Sequence, residues 1–361
     1  MLRLLRKKLL NPVLAQQSAI DTKFSERCNS IELQIINIKS ILDNQVSGLT
    51  VMDSTSTESA SCEFDTSNLN FIRNFEEYDE FIRKYEQCDF DGQSLQEFQQ
   101  SYCLDFDSFV NLFGTPPPTC DPFSDEYMNW ELSFFQFLSG REYRFEAEGA
   151  QSDIAERVKK IPTCDLNVET RVVMMRTYAD FLEKSRPERG TRVLEMGFGN
   201  GNLTELLGRC GCIVTGVDAS FSDSEYVKHR LKSQNIDAKI IHGTFYDIEK
   251  TDDIFDFVVF DASFHHCGEP MRLLEILNKK TSADCKVFFL NEMIYPHVFR
   301  PWGLVCLGGE PLLRIRINGW LELGFRTDFF EQLLLRTGFK LKDTYQMCNG
   351  STLYEAVKNN L

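Results

Sequence analysis

The sequence predicts an α/β protein built on a doubly wound sheet, preceded by a helical, aromatic-rich region and a short coiled-coil-like segment. Three observations lead there. Beyond about residue 171, short apolar runs alternate with amphipathic ones, the pattern that builds a mostly parallel sheet with helices on its faces. One of those runs enters a glycine-rich turn and leaves it as a helix. The upstream part is set apart by its acidity and its Phe and Tyr content. With 361 residues and 42% apolar composition, the chain has ample material for a buried core, which rules out wholesale disorder.

In chain order, residues 1–48 come first. Arg3, Arg6, Lys7 and Lys8 are mixed with leucines, and no acid precedes Asp21. The uninterrupted apolar region of a secretory signal is lacking. Residues 1–10 read as a solvated helix start, with peripheral contact to an anionic membrane as the competing reading. Phe24, Cys28, Ile31, Ile35, Ile38 and Leu42 follow at alternating spacings of four and three. That seam suits a homo-oligomeric coiled coil through residues 20–45 or one amphipathic helix packed on its own domain, and the pattern favours neither.

Residues 49–67, small, polar and acidic around Asp53–Ser61, read as a flexible linker. Residues 68–165 read as an acidic, aromatic-rich helical cap, with helices over Leu69–Tyr85 and Asp125–Leu138 separated by the breaker Pro116-Pro-Pro118. Residues 166–361 carry the alternating pattern. Strands are predicted at Arg192–Met196, Cys212–Val217, Lys239–His242, Phe255–Phe260 and Lys286–Leu290, then at Lys340–Gln346 and Thr352–Val357. Helices are predicted at Asn202–Arg209, Glu269–Lys280 and Asp328–Thr337.

Charge and cysteines narrow the function. The net charge is −15, made up of +3 in residues 1–50, −16 in 51–150 and −2 beyond. An acidic face repels phosphate backbones, so a nucleic-acid partner is disfavoured. The 12 cysteines are scattered with no CxxC pair, which points to reduced thiols in a cytoplasmic protein rather than a zinc knuckle or a disulfide framework. No apolar run approaches the length of a membrane span.

The strongest local signal is Val193-Leu-Glu195-Met-Gly197-Phe-Gly199-Asn-Gly201-Asn-Leu203. Glycines let a backbone approach a ligand closely, and the helix start that follows offers free N–H groups. A dinucleotide fingerprint would need glycine at position 202, and the residue there is Asn202. A second strand then ends at Val217-Asp218, which sets a carboxylate where a ribose diol is bound.

These residues resemble class I S-adenosylmethionine-dependent methyltransferases, with their Rossmann-like sheet, over roughly residues 166–361. The resemblance implies S-adenosylmethionine as cofactor. It places Glu195 near the cofactor's amino group, Gly197, Gly199 and Gly201 against its methionine part, and Asp218 on its ribose. Phe255-Asp-Phe-Val-Val-Phe-Asp261 looks like the fourth strand, which ends at the methyl group. One departure stands out. The family often has an acid near the end of its third strand for the adenine, and this chain has His242-Gly-Thr244-Phe245. Thr244 and Phe245 are therefore the candidates there.

On the acceptor side, Asp261-Ala-Ser-Phe-His265-His266 follows the fourth strand. A hydroxyl acceptor must lose its proton, so His265, His266 and Asp261 are candidate catalytic residues, with pocket shaping as the competing role of the histidines. The insertion from Asn291 to Arg326 is longer than ordinary loops and reads as a lid or substrate wall. Within it, Glu292, Trp302 and Trp320 are candidate substrate residues, the tryptophans for stacking on a sugar ring or for core packing. A divalent metal at Glu292, Asp261 and His265 would need a convergence the sequence does not show, and no metal is assigned.

Ser263-Phe-His-His-Cys267, Pro301-Trp-Gly303, Gly319–Phe325, Asp121–Tyr127 and Ser139-Gly-Arg141 are similar to bacterial methyltransferases associated with surface-polysaccharide and glycolipid assembly. That similarity implies O-methylation of a sugar or sugar-linked small molecule, in polysaccharide biosynthesis. The alternatives are a non-sugar metabolite as acceptor, or a coiled-coil assembly protein whose methyltransferase domain binds cofactor without turning it over.

Overall fold

The computed structural model describes residues 69–88, 92–149, 153–159 and 168–359. The basic start, the coiled-coil-like seam and the linker lie outside the described residues. Strand β1, Asn70–Ile72, pairs in parallel with β2, Tyr102–Leu104. Where the sequence predicts helix from Leu69, the chain runs as β1 and turns helical only at Phe75. The cause is local: the Asn74 side chain accepts the Glu77 N–H at 2.9 Å and caps the helix Phe75–Gln87. The helix Asp125–Ser139 is capped in the same way by Ser124 and stopped by Gly140 in the left-handed region.

Seven strands form the central sheet: β3 (Arg192–Met196), β4 (Ile213–Asp218), β5 (Ala238–His242), β6 (Phe255–Asp261), β7 (Thr281–Leu290) and, after the insertion, β11 (Phe339–Gln346) and β12 (Thr352–Lys358). Their order is β11-β12-β7-β6-β3-β4-β5. The first five run parallel, and β12 lies antiparallel to both β7 and β11. Every strand predicted in this region forms, with ends displaced by a few residues at most.

Side-chain alternation explains why the sheet is buried on both faces. Leu194, Met196, Val258, Phe260, Val287 and Phe289 point into one core; Val193, Phe257, Val259, Phe288 and Leu290 point into the other. The helices Val168–Ser185 and Asn202–Arg209 cover the second core through Phe181, Leu203 and Leu207. The first core is covered by Pro270–Lys280 and Thr327–Arg336 and is shared with the cap residues Phe134, Phe135 and Leu138.

The insertion is a packed wall rather than a loose lid. It contains β8 (Ile294–Tyr295), β9 (Trp302–Gly303) and β10 (Gly324–Arg326), ordered β8-β10-β9. Tyr78 donates to the Leu312 carbonyl at 2.7 Å and Tyr127 to the Trp302 carbonyl at 3.0 Å, tying the wall to the cap. Arg300 pairs with Glu131, and its guanidinium lies over the rings of Phe106 and Trp130. Both partners are buried, so removing one would strand a charge at a cost of about 3–5 kcal/mol.

The chain moves from β3 through β4 to β5 at one edge, then crosses back to β6 on the far side of β3. Adjacent strands whose connections leave in opposite directions open a crevice at their C-terminal ends. β3 and β6 are that pair here.

Candidate functional site

A cavity of about 490 Å³ lies at this crevice. Its floor is the turn after β3. Gly197, at φ 75°, sits so close to Ser263 that an added Cβ would meet the serine Cβ at 2.5 Å. Gly199, at φ 48°, has open space where its Cβ would stand, so a side chain there would fill ligand volume. Gly201 starts the helix Asn202–Arg209 and abuts Val227 rather than the cavity.

Asp218, at the end of β4, lines the cavity. Its carboxylate accepts the N–H of Gly199 at 2.8 Å and of Ser220 at 2.8 Å. Burial raises the carboxyl to about 6, against the lowering effect of those two donors. Thr244 and Phe245, predicted for the adenine end, also line the cavity. The cavity, the space before Gly199 and the ionisable Asp218 suit a nucleoside bearing an amino-acid tail.

Glu195 is corrected. It is buried beneath the turn, accepts the Thr204 hydroxyl at 2.6 Å, and does not line the cavity. Burial pushes its carboxyl up to about 8. Its inward direction follows from pleating, which turns alternate residues of β3 to opposite faces.

On the acceptor side the two histidines part company. His266 lines the cavity, and its Nδ1 stands 3.0 Å from Oε2 of Glu148, a residue supplied by the cap. The other oxygen of Glu148 accepts the Leu321 N–H at 2.9 Å. His265 does not line the cavity, donating from Nδ1 to Glu292 at 2.8 Å, with Nε2 3.8 Å from Glu322. Burial raises the Glu322 carboxyl to about 8.

Three further predicted residues do not line the cavity. Asp261 accepts the Tyr178 hydroxyl at 3.0 Å and the Asn291 amide at 2.7 Å, next to Ala262 and Ser263, which line the cavity. Glu292 is bound to backbone rather than facing an acceptor. Trp302 is fully buried, locked in the wall by the pairing of β9 with β10. Trp320 alone of the predicted substrate residues reaches the cavity, 5.8 Å from His266 ring to ring. With Asp261 and Glu292 so engaged, no metal-binding cluster of these residue types forms among the described residues.

The sequence reading missed Glu148, Tyr143, Phe145 and Tyr246, which line the cavity with Leu132 and Glu269. Nothing in local periodicity marks them. Leu132, Tyr143, Phe145 and Glu148 arrive because the cap folds over the crevice, whereas Tyr246 and Glu269 come from the segments after β5 and β6.

Comparison with known proteins agrees with this geometry. Residues 194–289 match a family model described as a methyltransferase domain. A ubiquinone biosynthesis O-methyltransferase of Salmonella paratyphi A is 27% identical over 38% of this chain and 56% of its own. An uncharacterised methyltransferase of Staphylococcus carnosus is 32% identical over 35% of this chain and 59% of its own. A glycine/sarcosine/dimethylglycine N-methyltransferase of Actinopolyspora halophila is 24% identical over 55% of this chain and 35% of its own. The chain thus spans about half the length, or less, of these curated relatives. A methyltransferase structure from Aquifex aeolicus aligns at a TM-score of 0.41 and 14% identity over 57% of this chain and 98% of its own, too loose a likeness to carry weight. The matched segment contains the glycine turn, Asp218 and His266, and is similar to a methyltransferase domain.

Proposed function

We propose that the protein transfers a methyl group from S-adenosylmethionine to a hydroxyl of a small acceptor, with His266 as general base and Glu148 holding its ring. The observation that carries this reading is a single cavity lined by both the cofactor turn and His266. When bound, the cofactor supplies an electrophilic methyl group. The protein's share is binding, orientation and proton removal. Asp218 accepts from the ribose, and the bare backbone at Gly199 gives room for the cofactor's tail. The charge of Glu148, at ion-pair distance from Nδ1 without an aligned hydrogen bond, favours the tautomer with the proton there and leaves the Nε2 lone pair for the acceptor proton. The rings of Tyr143, Tyr246 and Trp320 shape an apolar acceptor end.

The sugar acceptor expected from the sequence is not carried forward. Burial of Trp302 removes one of the two expected stacking platforms, and the names of the relatives do not point to a sugar. A nitrogen acceptor is the second reading. It is favoured by the carboxylates of Glu148 and Glu269 at the acceptor end and by the N-methyltransferase among the relatives.

Calorimetry with S-adenosylhomocysteine, followed by labelled cofactor incubated with fractionated metabolites, tests the proposal. The parent should bind the product and label a small molecule, and Gly199→Val should do neither. A parent that fails to bind the product, or that binds NAD tightly instead, defeats it. A parent that binds the product but labels no fraction points to the inactive-domain alternative.

A further inference from the structure

Four hydrogen bonds converge on one buried carboxylate. Oε1 of Glu292 accepts the N–H groups of Ser263 and Phe264, each at 2.8 Å. Oε2 accepts the N–H of His265 at 3.1 Å and its Nδ1 at 2.8 Å. Burial alone would raise the Glu292 carboxyl, but the charge and hydrogen bond of His265, with the backbone donors, hold it below the usual range. Three successive N–H groups aimed at one acceptor require an unusual chain path. Ala262, just before the turn, and Asn291, just before Glu292, both adopt left-handed backbone at φ 50° and 56°, a region that residues other than glycine rarely enter. Backbone of this kind persists only where its surroundings over-determine it.

The turn so pinned presents His266. Its ring lies 4.3 Å from that of His265, centroid to centroid. The Leu323 N–H donates to the His265 carbonyl at 3.1 Å, while Leu321 donates to Glu148. Residues 321–323 therefore join the two carboxylate–imidazole pairs, Glu292 with His265 and Glu148 with His266, into one frame.

We infer that Glu292 is a positioning residue for the transfer: through the 263–265 turn and His265 it fixes the place and tautomer of the His266 ring. The inference rests on His266 being the base. An ionised carboxylate can accept all four bonds. A glutamine in its place would turn a donor toward donors, so at least one N–H would lose its partner. The turn would relax, and His266 would lose its fixed approach to Glu148.

The test needs no acceptor. In the full chain carrying ¹⁵N-histidine, with S-adenosylhomocysteine present at alkaline pH, long-range nitrogen–proton spectra report the tautomer of each ring. The parent should show His266 as one tautomer with the proton on Nδ1. Glu292→Gln should convert it to a mixture whether or not product affinity changes, since Ser263 of the altered turn packs against Gly197 and lines the cavity. His265→Ala, which deletes the side-chain donor and keeps Glu292, should disturb the signature in the same direction. It also serves as the test if Glu292→Gln does not fold. His265→Gln, whose amide still donates, should restore the parent pattern. An unchanged His266 tautomer in the folded variants overturns the positioning role. A parent that does not bind the product defeats the methyltransferase reading instead, and the histidine spectra remain readable without ligand.

Discussion

Glu148 and His266 face each other at 3.0 Å from different parts of the chain, the acid from the cap and the imidazole from the turn after β6. Neither residue alone makes an oriented base. With His266 as the proposed base, the cap would contribute to the chemistry as well as covering the sheet.

Replacement of His266 by Ala should slow methyl transfer by roughly 10²–10⁴-fold while leaving product affinity nearly intact. Glu148→Gln should cost less, because the amide can still pair with Nδ1 or with the Leu321 N–H. His265→Gln should stay near the parent. Single-turnover rates with labelled cofactor and a purified acceptor fraction check the ordering. Equal rates in the parent and His266→Ala would remove the base from His266.

Asp218 sets a pH dependence on cofactor binding. Burial raises its carboxyl to about 6, and only the carboxylate accepts hydrogen bonds from both hydroxyls of a ribose. Binding favours the ionised form, so product affinity should hold above pH 7 and fall as pH drops through 6. Asp218→Asn should bind more weakly by about 1.5–3 kcal/mol at pH 7.5 and lose the acid-side decline. Calorimetry from pH 5 to 8 decides. A parent affinity that is flat over that range would exclude Asp218 from the ribose site.

Much of this was legible in the sequence because it is local. β3, the three glycines and the helix Asn202–Arg209 form one continuous stretch, and Asp218 ends the next strand, so spacing alone places them. The double burial of β6 and β7 is written in their continuous apolar runs. What escaped depends on contact through space. Glu148 lies in a segment without helical or strand period, and only the closing of the cap brings it to His266. Glu292 and Trp302 were read as pocket residues because they sit in a long insertion. Nothing in the spacing tells that the β8-β10-β9 sheet seals Trp302 and that the turn after β6 claims Glu292. His265 and His266 are adjacent in sequence and their rings stay 4.3 Å apart, yet only His266 lines the cavity.

The buried acids also predict how the empty protein responds to pH. Burial raises Asp218 and Asp261 to about 6 and Glu195 and Glu322 to about 8. A carboxyl raised on folding binds its proton more tightly in the native state than in the unfolded chain. Its contribution to stability is fully present below the unfolded value and is lost as pH rises through the folded one. Without ligand, the melting temperature should therefore fall as pH rises from about 4 to about 8, with the share of Asp218 and Asp261 spent by about pH 6 and that of Glu195 and Glu322 by about pH 8. Glu292 does not offset this, since its carboxyl is lowered and its contribution disappears only in acid. Glu322 allows the cleanest test, because its side chain is buried and it is absent from the cavity wall. Glu322→Gln keeps the shape and never ionises. The variant should melt close to the parent at pH 4 and higher by roughly 2–5 °C at pH 8.5. Calorimetric scans of both proteins across that range check it. If the two curves stay parallel, Glu322 is ionised in the folded protein as it is in the unfolded chain over this range, its carboxyl is not raised by burial, and His265 has a charged neighbour on Nε2 throughout.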